Sequence, residues 1–130
     1  MSSTTSSTAG RIMLIDDDVG ILQSVKRMLV RQGYCVATHE GGPGCCIEVA
    51  RFAPRLVLID VRMPFLSGDV MVGLLEKRTN AERPRIVLFS AIDEFRLQQT
   101  AKACGADGYI PKSDSLLELA RKVAGFFRDN

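Results

Sequence analysis

The sequence has no tryptophan, and aromatic residues make up only 6% of it. Platforms that stack the bases of single-stranded nucleic acid need such rings, so that class of binder is disfavoured. The formal net charge is only +2. A dedicated nucleic-acid protein carries a clustered basic face. Here Arg27, Arg31, Arg51, Arg55, Arg78, Arg83, Arg85 and Arg96 are scattered along the chain and read as solvated faces. No apolar run approaches the ~20 residues that span a bilayer. The N-terminus lacks the charged and apolar regions of a signal peptide. A cytoplasmic location and no membrane partner are expected. None of the four cysteines (Cys35, Cys45, Cys46, Cys104) belongs to a C-x-x-C pair, which removes support for zinc or dithiol chemistry. They read as small buried hydrophobes.

What is present fits one ordinary domain. The chain has 130 residues, 46% of them hydrophobic and 25% charged, enough for a single core. Residues 1–10, Met-Ser-Ser-Thr-Thr-Ser-Ser-Thr-Ala-Gly, cannot bury apolar surface and are expected to be a disordered tail. Residues 11–130 are expected to form the domain.

The stretch around which the rest is organised is Leu56-Val57-Leu58-Ile59-Asp60. Four apolar residues followed by a carboxylate predict a strand buried on both faces, with Asp60 at its carboxyl end. The same pattern recurs. Arg11 to Ile15 runs into Asp16-Asp17-Asp18, and Arg85 to Phe89 runs into Ser90. Tyr34 to Thr38 is a less apolar edge strand, and Asp107 to Ile110 a short one that leads into Pro111-Lys112. Helices are predicted between them. The first buries Ile21, Leu22, Val25, Met28 and Leu29, with Asp18 as cap and Gly33 as stop. The second turns Cys46, Val49, Ala50 and Ala53 inward and ends at Pro54. A third starts at Ser67 and faces Val70, Met71, Leu74 and Leu75 inward. A fourth covers roughly Glu94 to Cys104 and closes at Gly105. The last starts near Asp114, with Leu116, Ala120, Val123, Ala124 and Phe127 inward. Five βα units with short connections imply a doubly wound α/β fold with a parallel five-stranded sheet.

In such a sheet the first and third strands are neighbours, and ligands sit at the carboxyl ends of the strands. Asp16, Asp17 and Asp60 therefore converge, with Ser90 and Lys112 arriving at the same edge. Alone, Asp16 to Asp18 would read as an acidic helix start, but Asp60 and Lys112 in place change that reading. Three carboxylates in one pocket repel unless a cation joins them. A hard divalent ion such as Mg²⁺ takes a few carboxylates plus waters and phosphate oxygens. A metal, a lysine and a hydroxyl around one carboxylate suit phosphoryl transfer onto that carboxylate.

Asp16-Asp17, Asp60, Ser90-Ala91 and the stretch Tyr109 to Lys112 resemble the signature of response-regulator receiver domains of bacterial two-component systems. The likeness covers about Arg11 to Phe127. It implies a (βα)5, flavodoxin-like fold with sheet order 2-1-3-4-5. It implies Asp60 as phosphoacceptor and a histidine kinase or phosphotransfer protein as donor. Mg²⁺ (or Mn²⁺) would be held by Asp17, Asp60 and the backbone carbonyl of Arg62, with Asp16 acting largely through water. Ser90 and Lys112 would grip the phosphoryl oxygens, and Tyr109 would change rotamer as Ser90 is drawn in. Three positions depart from the family's pattern: Ser113 stands where proline usually follows the lysine, Ser67 where an acidic residue precedes Gly68, and Arg62 lies just beyond Asp60. His39 is read as structural and not as a relay histidine. The expected function is that of a phospho-acceptor signalling domain, not a turnover enzyme, catalysing only its own phosphorylation and dephosphorylation. It would signal to an output protein or effector domain, as a monomer or weak homodimer and without binding nucleic acid. The alternative is a receiver-like interaction module that works without phosphorylation.

Overall fold

The computed structural model describes residues 10–62 and 84–128. The predicted loop at Met63 to Gly68 and the helix from Ser67 lie outside the described residues, as does nearly all of the predicted tail. The elements in chain order are β1 (Arg11–Ile15), α1 (Val19–Arg31), β2 (Cys35–His39), α2 (Cys45–Phe52), β3 (Leu56–Ile59), β4 (Arg85–Ser90), α3 (Glu94–Cys104), β5 (Gly108–Pro111) and α4 (Leu116–Arg128). The five strands form one sheet in the order β2-β1-β3-β4-β5. All four pairings are parallel. The doubly wound α/β architecture and the strand order expected from the sequence are therefore what the chain adopts.

Alternation along the strands divides the core in two. Met13, Ile15, Val57, Ile59, Ile86 and Leu88 face α2 and α3, meeting Cys45, Val49, Leu97 and Ala101. Ile12, Leu14, Leu56, Leu58, Val87 and Phe89 face α1 and α4, meeting Leu22, Val25, Leu29, Leu119 and Val123. Burying each large aliphatic chain is worth about 1.5–3 kcal/mol, so the sheet's two faces supply most of the stabilisation. β3 is buried at all four positions, as its unbroken apolar run requires. β2 lies at the edge, with Cys35 and Thr38 exposed and Val36 buried.

Local chemistry sets the helix ends. The Asp18 carboxylate accepts the Ile21 N–H at 3.2 Å and starts α1. Gly33 closes it with φ of 101°, a left-handed conformation suited to glycine. Asp93 accepts the Arg96 N–H at 3.1 Å at the start of α3. Asp107 pins the turn into β5, accepting the Ile86 N–H at 2.7 Å while its own N–H donates to the Ile86 carbonyl at 2.8 Å.

Some inward faces differ from expectation. In α2 the buried residues are Cys45 and Val49, Cys46 is half-buried, and Ala50 and Ala53 are exposed. Ala53 is instead the cap, with φ of 55°. Leu116 is 47% exposed because it is the first residue of α4, whose inward line runs through Leu119 and Val123. Cys35 is exposed, so not every cysteine is a core hydrophobe. Arg55 and Arg85, expected in solvent, are half-buried at the amino ends of the strands.

Candidate functional site

The backbone ladder runs past the strand ends and places the polar residues there. Ile15 pairs with Ile59 across β1 and β3, so the next residues, Asp16 and Asp60, emerge side by side. The Asp60 N–H donates to the Ile15 carbonyl at 3.1 Å, and the Asp16 N–H to the His39 carbonyl at 3.1 Å. Lys112 follows β5, and its N–H donates to the Ser90 carbonyl at 2.9 Å. The described peptide bonds are all trans, including those on either side of Lys112, and the Asp114 N–H closes a turn onto the Pro111 carbonyl at 3.1 Å.

Both strand-end carboxylates meet the same ammonium. Lys112 Nζ lies 2.6 Å from Asp16 Oδ2 and 2.9 Å from Asp60 Oδ2. The second oxygens are held by backbone: Asp16 Oδ1 accepts the Asp18 N–H at 2.9 Å, and Asp60 Oδ1 accepts the Arg62 N–H at 3.1 Å. Asp16 is 2% exposed and Asp60 6%. The two lysine contacts are not equivalent. The one to Asp60 is a directed hydrogen bond, whereas the shorter one to Asp16 Oδ2 is an ion pair without that alignment. Burial pushes the Asp16 carboxyl above its usual range, and Lys112 only partly offsets this. Burial alone would lower the Lys112 ammonium, but its close contacts with the Asp16 and Asp60 carboxylates outweigh it and leave its pKa raised.

Asp17 is exposed and completes a set of acids with Asp16 and Asp60; one oxygen of each lies within 4.8 Å of the others. Three hard oxygen donors, one of them on a buried carboxylate without an aligned donor, fit a divalent cation such as Mg²⁺. Arg62 contributes its N–H to Asp60, and its side chain is exposed.

Ser90 is fully buried, and its hydroxyl accepts the Ile92 N–H at a long 3.4 Å. Tyr109 is not brought to the acids. Its ring packs on the α2–α3 side of the core, and its hydroxyl donates to Glu94 Oε2 at 3.5 Å. His39 Nδ1 accepts the Gly41 N–H at 2.9 Å, a structural contact that shapes the loop after β2. Burial pushes the Cys45 thiol up to about 11, which keeps it protonated and unreactive at neutral pH.

Two neighbours of the site were not foreseen from the sequence. Glu94, at the start of α3, is the partner of Tyr109. The Phe89 ring lies beneath Lys112, with Nζ 5.8 Å from its centroid. The signal for Phe89 was present in the alternation of β4, which turns it to the face opposite Leu88.

Known proteins share this arrangement. Residues 12–124 match the family described as the response regulator receiver domain. The response regulator MprA of Mycobacterium leprae is 33% identical over 118 residues, covering 91% of this chain and 51% of that protein. The chain thus spans about half the length of the curated relatives it matches. A response regulator signal receiver domain from Bermanella marisrubri superposes with a TM-score of 0.80 at 28% identity, covering 90% of this chain and 97% of that one. The response regulator TrrA of Thermotoga maritima, solved in complex with Mg²⁺ and BeF, superposes with a TM-score of 0.76 at 30% identity, covering 89% and 97%. The buried acids around a lysine, the strand order and these likenesses agree that the chain belongs to the response regulator receiver domain family of two-component signalling.

Proposed function

We propose that Asp60 accepts a phosphoryl group from a histidine kinase or phosphotransfer protein and that the domain passes the signal to a protein partner. The observation that carries this reading is the convergence of the Asp16 and Asp60 carboxylates on Lys112 Nζ. Asp60 stands at a rigid strand end, its carboxylate oriented by the Arg62 N–H and by Lys112. That orientation prepares it to attack phosphorus in line. Asp16, Asp17 and Asp60 would hold a divalent ion, with Arg62 supplying a backbone carbonyl. When bound, the ion supplies positive charge to the phosphoryl oxygens. Lys112, already protonated, lies where it can neutralise a further phosphoryl oxygen, and the Ser90 hydroxyl can donate to another. Drawing Ser90 toward the phosphoryl group would break its long contact with the Ile92 N–H. It would open space for Tyr109 to leave Glu94 and turn inward, which changes the surface formed by α3, β5 and α4. The domain would promote only its own phosphorylation and the hydrolysis of the aspartyl phosphate, and it would act in the cytoplasm. No helix among the described residues is long and apolar enough to cross a membrane.

Intact mass after incubation with Mg²⁺ and acetyl phosphate tests this reading. One phosphoryl adduct is expected on the wild type and none on Asp60→Ala or in a chelated control. An unmodified wild type, with a histidine-kinase donor failing as well, would replace the reading with a phosphorylation-independent interaction module.

A further inference from the structure

Ile15 pairs with Ile59, and Ile59 with Leu88, across β1, β3 and β4. The next residues along the chain therefore stand in one row: Asp16, Asp60 and Phe89. On β5 the row continues with Ile110, and Lys112 stands two residues further along. The Lys112 N–H is tied to the Ser90 carbonyl at 2.9 Å, which fixes where its side chain starts. From there Nζ reaches both acids and lies over the Phe89 ring, 5.8 Å from its centroid. Phe89 is 7% exposed and the Lys112 side chain 13%, so the contact is largely out of water, where a cation and a ring face attract most strongly. The same ring and Asp16 line a void of about 10 Å³. Its other described lining residues are aliphatic, so a water there would lack the partners it needs, and this side of the site stays dry. A leucine or valine would serve the core at position 89. The ring adds a negative face, which an aliphatic chain lacks.

We propose that Phe89 is a positioning residue for phosphoryl transfer, its ring face holding the Lys112 ammonium in place while that ammonium exchanges Asp60 for a phosphoryl oxygen. This rests on Asp60 being the phosphoacceptor. In transfer from acetyl phosphate, an Asp60 oxygen bonds to phosphorus, the bond from phosphorus to the acetate oxygen breaks, and acetate leaves with the bonding pair. The directed hydrogen bond from Lys112 to Asp60 has to be given up as the phosphoryl group arrives. Hydrogen bonds weaken steeply when misaligned. The attraction to the ring depends on Nζ lying over the face and not on the direction of any one N–H, so it persists through the exchange. Without the ring, Nζ keeps its acids in the resting site but is less confined while one of them changes partner.

The test places one, two and then three fluorines on the Phe89 ring of the full chain. Fluorine withdraws electron density from the ring face and leaves the shape of the side chain nearly unchanged, so packing alone would not register it. The rate of phosphorylation by acetyl phosphate with Mg²⁺ is expected to fall in step with each fluorine, about fivefold over the series, the scale of a partly desolvated contact of this kind. Phe89→Leu, which keeps an apolar side chain but no ring, should be as slow as the most fluorinated form. In metal-free protein the NMR signals of the Lys112 ε-methylene should lie upfield of their position in Phe89→Leu, because a ring shields nuclei above its face. A rate independent of fluorine overturns the proposal even if Phe89→Leu is slow, because the ring would then act by packing alone. Lys112 signals at the same position in the two proteins overturn the contact itself. A wild type that takes no phosphate from acetyl phosphate removes the phosphoacceptor reading, whereas one that takes it and stays equally fast through the series removes only the role of Phe89.

Discussion

Asp16 and Asp60 stand just beyond the carboxyl ends of β1 and β3, while Arg11, Arg55 and Arg85 stand at or beside the amino ends of β1, β3 and β4. The two edges of one sheet thus carry opposite charge, and they satisfy it differently. On the basic edge each described contact is private. Arg11 Nη1 donates to the Phe52 carbonyl at 2.6 Å, and its guanidinium lies 5.3 Å from the centroid of the same residue's ring. Arg55 covers the Phe127 ring at 6.0 Å, and that ring stacks on Tyr34 at 5.1 Å. Burial raises the Tyr34 hydroxyl, with nearby Arg128 pulling it back, so the ring stays neutral. On the acidic edge two carboxylates share a single ammonium, and a third, from Asp17, lies within 4.8 Å of them. Arginines spread over carbonyls and aromatic faces are compensated within the fold. Carboxylates gathered on one lysine retain an excess of negative charge that only an added cation or a chemical change relieves. One edge is compensated within the fold, and the other stores a demand for a ligand.

The largest expected effect comes from removing the shared cation. Lys112→Met leaves buried Asp16 and Asp60 unpaired, which should cost about 3 kcal/mol in metal-free buffer. It should also abolish the phosphoryl adduct. Denaturant melts with and without Mg²⁺ check both sides, since the metal should restore part of the stability but not the adduct. Full stability in metal-free buffer would show that the acids do not need the lysine. The matching change on the basic edge is Arg11→Met. It removes a charge-assisted hydrogen bond and a ring contact, a loss of about 2 kcal/mol by melt. Phosphorylation of the folded fraction by acetyl phosphate should be unchanged. A slowed reaction there would link the two edges and undo the contrast.

The sequence reveals the acidic edge more fully than the basic one, for a physical reason. Strand ends are marked by abrupt changes from apolar to charged residues, and parallel pairing in register brings those ends together. Asp16, Asp60, Ser90 and Lys112 could therefore be placed on one rim before any coordinates. The limits of β1 and β4 and the caps Asp18 and Gly33 are equally local signals. Arg55 looked like a solvent-facing charge because its partner comes from tertiary packing: the ring lies 72 positions away, at Phe127. The same holds for the Tyr109–Glu94 contact and for the sharing of Lys112 between two carboxylates. The inward face of α2 was misjudged because eight residues make barely two turns. An error of one residue there rotates the buried stripe by about 100°.

The smallest predicted effect concerns the acid that the lysine serves less well. Asp16 is almost wholly buried, and its Oδ2 lacks an aligned donor. Burial is the largest influence on its pKa and raises it above the ordinary 3.8. The folded protein therefore holds this proton more tightly than the unfolded chain does. The group's contribution is fully present below its unfolded pKa and is lost as pH rises through the folded one. At neutral pH the ionised Asp16 works against folding. Asp16→Asn keeps an acceptor for the Asp18 N–H and leaves Lys112 its directed bond to Asp60. In chelated buffer at pH 7 it should stabilise the domain by about 1 kcal/mol, or about 4 °C in Tm. The gain should shrink as pH falls toward 4 and the wild-type carboxylate takes up its proton. Added Mg²⁺ should reverse the order, because the wild type gains a ligand that the variant has weakened. A variant less stable than wild type at pH 7 without metal would mean that the Asp16–Lys112 pair outweighs its burial, and the acidic edge would then be as self-compensated as the basic one.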